Sequence, residues 1–74
     1  MTEATVEFAI SNLEYDLVTT LSNLLEGQEV LEEYIADAEE ADDAEAADIF
    51  RTIQTHNQNS AMRIRTALGR IMSQ

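Results

Sequence analysis

Two stripes of residues run through this chain at alternating intervals of three and four, and they limit what it can fold into. Leu17, Leu21, Leu24, Gln28, Leu31, Ile35 and Ala38 are spaced 4-3-4-3-4-3, and Phe50, Ile53, Asn57, Ser60, Ile64, Ala67 and Ile71 are spaced 3-4-3-4-3-4. Such intervals align side chains along one face of a helix, whereas a strand repeats every two residues. No proline occurs, and the two glycines, Gly27 and Gly69, are too few to break either stripe. The expectation is an all-α protein with two long amphipathic helices. Leu13, Val18, Leu25, Leu68 and Met72 broaden both stripes.

The break between the stripes is acidic, "EEADDAEA" from Glu39 to Ala46. Asp42 followed by Glu45 has the capping-box spacing, and "SNLE", Ser11 to Glu14, repeats it upstream. Asp43, Glu45 and Asp48 then fall in first turns, where the helix dipole favours anions. This predicts a helix over about residues 12–40, a turn at 41–43 and a second helix over 43–72. Helices of matched length joined by so short a turn form an antiparallel hairpin, here residues 11–74. Residues 1–10 stand apart as an N-terminal arm, with Val6, Phe8 and Ile10 alternating in "TVEFAI". A lone hairpin leaves one side of such broad stripes in water. Two hairpins face to face bury them, so a homodimer forming a four-helix bundle is expected.

Charge narrows the partners. The net charge of −11 opposes contact with nucleic-acid phosphates and with anionic membrane surfaces. No apolar run approaches the roughly 20 residues of a membrane span, and "MTEATVEFAI" lacks the basic start of a signal peptide. A cytoplasmic protein is expected. There is no cysteine, hence no disulfide and no thiolate metal site. All four basic residues are arginine, which suits a saline cytoplasm and equally a GC-rich genome.

The stripes carry polar residues at one level. With the turn near residue 42, facing positions sum to roughly 85, which sets Gln28 level with Asn57, and Ser60 follows one turn later. Twofold copies of these three form a central layer of neutral polar groups that must be hydrogen-bonded to be buried. The stretch "LLEGQEVLEEYIADAEEADDAEAADIFRTIQTHNQNSAMRI" resembles a rubrerythrin or ferritin-like half-bundle. The small step at Gly27, the aromatic Tyr34, the acidic turn, the Ile49-Phe50 pair and the "AMRI" ending carry the likeness. It is most similar to the two-helix ferritin-like domain that completes its bundle by pairing. That resemblance implies a ferritin-like fold with a two-metal centre, held by a first-helix glutamate and a Glu-x-x-His motif. Carried over by position, the glutamate falls on Gln28 and the motif on Asn57 and Ser60. All three depart from the ligand types, because neutral amide and hydroxyl groups do not balance two iron or manganese ions.

The expectation is therefore a non-enzymatic, metal-free interaction or scaffold module, with homodimerisation and an unidentified protein partner. Its alternative is a protein binding iron or another divalent metal through a peripheral cluster of Glu26, Glu29, Glu33 and His56. A third reading, a regulator docking on a basic partner, rests on the 11 of 15 acids that lie between Glu26 and Asp48. Arg63 and Arg65 are expected to be surface charges, with pairing to Glu14, Asp16 or a partner chain as the alternative. Tyr15 and Tyr34 are expected to pack at an interface rim. Nothing in the chain sets out a nucleophile with its base, or a glycine-rich phosphate loop.

Overall fold

The computed structural model describes residues 11–73. The expected N-terminal arm lies outside the described residues. Two helices of 29 residues each, α1 (Asn12–Glu40) and α2 (Ala44–Met72), pack on each other as a hairpin. Among the described residues there is no strand.

The helix ends follow from local chemistry. Ser11 is extended, and its hydroxyl accepts from the Glu14 amide at 3.1 Å, opening α1 as the "SNLE" spacing predicts. At the turn the expectation is off by one residue, since the cap of α2 is Asp43 and not Asp42. Its carboxylate accepts from the Ala46 amide at 2.9 Å. Asp42 is needed elsewhere. To reverse the chain it takes a positive φ of 58°, which aspartate tolerates better than most residues. Its N–H donates to Glu39 O at 3.1 Å and that of Asp43 to Ala38 O at 2.9 Å, satisfying the last carbonyls of α1.

Packing reveals a second difference. On α1 the predicted stripe faces α2, and every member is buried or half-buried. On α2 six of the seven predicted members, Phe50, Asn57, Ser60, Ile64, Ala67 and Ile71, are half-buried, and Ala47, Gln54, Ala61 and Leu68 are covered beside them. Ile53, an expected seam residue, is 41% exposed, while Ser60 and Ala67 line the flank of the seam. The helix is rotated about its axis from the predicted setting. This setting buries Leu68 and Ala47, and Leu31, Ile35 and Ala38 of α1 complete the small core.

The two broad sides of the hairpin differ. On one, Gln54 donates to Glu32 at 2.9 Å, and Arg51 forms an ion pair with Glu39 across the turn end. Both partners of that pair are about half exposed, so it contributes at most about 1 kcal/mol. Val18 and Leu25 share this side by their spacing. The opposite side carries Tyr34 and Phe50, whose rings are 5.5 Å apart and tilted by 50°. It continues through Leu24, Leu17, Ile64 and Ala67, which line one groove. The molecule is a single layer of helices, 52 × 21 × 14 Å, and leaves large apolar side chains such as Leu13, Tyr34, Ile49 and Ile53 exposed. No helix among the described residues is long and apolar enough to cross a membrane.

Candidate functional site

The candidate site is the polar level midway along the hairpin. Gln28 projects from α1 into the seam because it occupies a stripe position, with Leu24 before it and Leu31 after it. Its Nε2 donates to the carbonyl oxygen of Gln54 at 3.1 Å, and its Oε1 accepts from Asn57 Nδ2 at 3.4 Å. The second contact is long, and both residues are half-buried. Gln54 Nε2 extends the chain of amides to Glu32 at the surface. No buried side-chain nitrogen or oxygen among the described residues lacks a partner.

Gln54 is the member that sequence reasoning passed over. It falls outside the 3-4 stripe chosen from Phe50 and Ile53, and only the rotation of α2 turns it inward. The available signal was that 47, 54, 61 and 68 form an equally regular row in which Ala47, Ala61 and Leu68 are apolar. Ser60 borders the same groove as Asn57 and is half-buried. It lines the groove of Leu17, Leu24, His56 and Arg63 on the apolar side of the hairpin. Thr20 borders the same groove, with its hydroxyl bonded to the Asp16 carbonyl at 2.8 Å.

The peripheral cluster of Glu26, Glu29, Glu33 and His56 is not assembled within one hairpin. His56 opens onto the groove beside Ser60 and Arg63. Glu29 borders the opposite cleft with Gln28, Glu32 and Gln54. The seam separates them, and Glu26 and Glu33 are exposed. Among the described residues no three or more His, Asp or Glu side chains are grouped so as to hold a metal ion. Within the hairpin neither Arg63 nor Arg65 pairs with Glu14 or Asp16, and Arg51–Glu39 is the ion pair among the described residues.

Chemically, the central level offers amide oxygens, amide hydrogens and a serine hydroxyl. These groups hydrogen-bond well but carry no charge to set against a divalent ion, so the residues present do not fit a two-metal centre. Compared with known proteins, the chain matches no family model, no curated protein and no solved structure.

Proposed function

We propose that this chain is a non-enzymatic, metal-free helical hairpin of ferritin-like type, which completes a four-helix bundle with a second copy and serves as an interaction or scaffold module. The Gln28–Asn57 amide pair carries the reading. It stands at the level where a ferritin-like bundle keeps its metals, and it joins the helices through neutral groups. A half-buried polar contact between the helices favours one register, a role well suited to a structural module.

Pairing is supported by the unbalanced surface of the single layer. Among the described residues the hairpin buries five apolar side chains, and a second layer is what such a domain ordinarily requires. The exposed apolar residues beside the groove then become core. An acidic exterior is left for any further partner.

The test is metal content with thermal stability, on protein purified without chelator, before and after Fe(II), Mn(II) or Zn(II). The expected result is sub-stoichiometric metal and an unchanged Tm. Stoichiometric uptake with a raised Tm, which binding to the native state produces, would overturn the metal-free reading. It would direct attention to Glu26, Glu29, Glu33 and His56 contributed by two chains. Sedimentation of the same sample tests the pairing.

A further inference from the structure

We propose that the segment leading into α1, residues 3–10, seats on the outer face of α2 in the same chain. Glu7 pairs with Arg70 and Glu3 with Arg63, while Val6 and Phe8 cover Met62 and Ala67. The proposal does not depend on the pairing described above, because the arm takes a different face of the hairpin.

The receiving surface is an open groove of about 550 Å³ on the side of α2 turned away from α1. Asn59, Met62, Arg63, Thr66, Ala67 and Arg70 line it at helical spacing, opposite the covered row of Ala61, Ile64 and Leu68. Its floor is largely apolar. Met62 is 59% exposed, and the Thr66 hydroxyl is satisfied within the helix by the Met62 carbonyl at 3.1 Å. The groove is also cationic in a chain of net charge −11, since residues 49–74 hold all four arginines and no acid. Arg63 and Arg70 are in no ion pair among the described residues. Arg63 and Ala67 line this groove and the pairing groove alike, so they form the ridge between the two. An arm on one side of that ridge leaves the other side to a second copy.

Length and charge select the occupant. Residues 1–10, extended at about 3.3 Å each, reach about 33 Å from Ser11. Helices about 8–10 Å apart, each of radius about 5 Å, place the far side of α2 about 15 Å from the α1 axis. The roughly 18 Å that remain cover the groove, because the helix rises about 17 Å from Asn59 to Arg70. The arm enters from the open end of the hairpin, so Glu7 meets Arg70 and Glu3 meets Arg63 further along. Extended chain sets the two acids about 13 Å apart, and the helix sets the two arginines about 10 Å apart, a difference within the reach of their side chains. The alternation in "TVEFAI" turns Val6 and Phe8 to one side and Glu7 to the other. With the apolar side on Met62 and Ala67, the arginine stems flank the arm and their head groups meet the acids at its solvent side.

The chain lacks cysteine, so Thr5→Cys places a single nitroxide on the arm of the full chain. Its paramagnetic broadening of backbone amide signals is expected to peak at Thr66 and Ala67. Broadening that only decays inward from Ser11 and Met72 would overturn the docking, and a peak at Leu17 and Leu24 would overturn the choice of face. Mixing spin-labelled protein with isotope-enriched protein that carries no nitroxide isolates contacts between chains. The Thr66 signal is expected to stay sharp in that mixture, and its broadening would overturn the same-chain assignment. Glu3→Arg with Glu7→Arg is expected to abolish the peak, and Arg63→Glu with Arg70→Glu added to that protein is expected to restore it. A peak that survives the first exchange, or stays lost after the second, would overturn the assigned ion pairs.

Discussion

Gln28 and Asn57, 29 positions apart in the chain, share a hydrogen bond of 3.4 Å across the hairpin, and Gln28 also donates to the Gln54 carbonyl at 3.1 Å. One side chain of α1 thus holds two successive turns of α2. Truncating it as Gln28→Ala is expected to cost about 1 kcal/mol, the net worth of a hydrogen bond at a half-buried site. Replacing both members, Gln28→Leu with Asn57→Leu, removes donor and acceptor together and is expected to leave stability unchanged or raised. Urea titration of the three proteins checks this, and a double variant less stable than the single one would count against the pair as a register device.

If the central level is a ferritin-like metal position with its ligands exchanged, restoring them restores binding. Gln28→Glu, Asn57→Glu and Ser60→His together are expected to lower Tm without metal, because two carboxylates then crowd the seam. Fe(II) or Zn(II) is expected to raise it, with about 2.7 kcal/mol recovered at a hundredfold excess over Kd. Calorimetry with and without metal measures both effects. Absence of uptake would detach the polar level from any metal ancestry.

The turn offers a clean backbone test. Asp42 holds a φ of 58°, a conformation that glycine adopts without steric penalty. Asp42→Gly is expected to stabilise the hairpin by up to about 1 kcal/mol, and it also removes an anion from the negative end of α1. Asp43→Ala deletes the cap on the Ala46 amide and is expected to cost about 1 kcal/mol. Thermal melts of the two variants should move in opposite directions. Equal shifts of the same sign would place the cap elsewhere.

The two glycines give a paired comparison. A Cβ at either Gly27 or Gly69 meets nothing within 4 Å. In an isolated hairpin both alanine substitutions therefore stabilise by up to about 1 kcal/mol. If the groove side is covered by a second copy, Gly69→Ala keeps that gain, whereas Gly27→Ala loses part of it to crowding. Denaturation at several protein concentrations separates the cases.

Acid repulsion at the turn end predicts a response to ions. Eleven carboxylates lie between Glu26 and Asp48, where no basic residue lies among them. Screening them is expected to raise Tm steadily as salt increases from 0.05 to about 1 M, over which the Debye length falls to about 3 Å. A Tm that falls with salt would indicate that favourable ion pairs outweigh this repulsion.

The chain sequence by itself determined the helices, their extents to within a residue, the opening cap at Ser11, and the level at which Gln28 and Asn57 meet. These follow from periodicity, capping chemistry and a turn of known length, all local properties. The axial setting of α2 was decided only by tertiary packing. Its rows through Ala46, Ile53, Ser60 and Ala67 and through Ala47, Gln54, Ala61 and Leu68 are adjacent, both largely small or apolar, and both regular. A hydrophobic stripe that broad admits either row at the seam. Burying Leu68 and Ala47 against α1 selects the second, turning Gln54 inward and leaving Ile53 exposed. The same packing sets His56 and Glu29 in different grooves. Facing numbers give height along a hairpin, but the angle around each helix comes from which side chains fill the space between them.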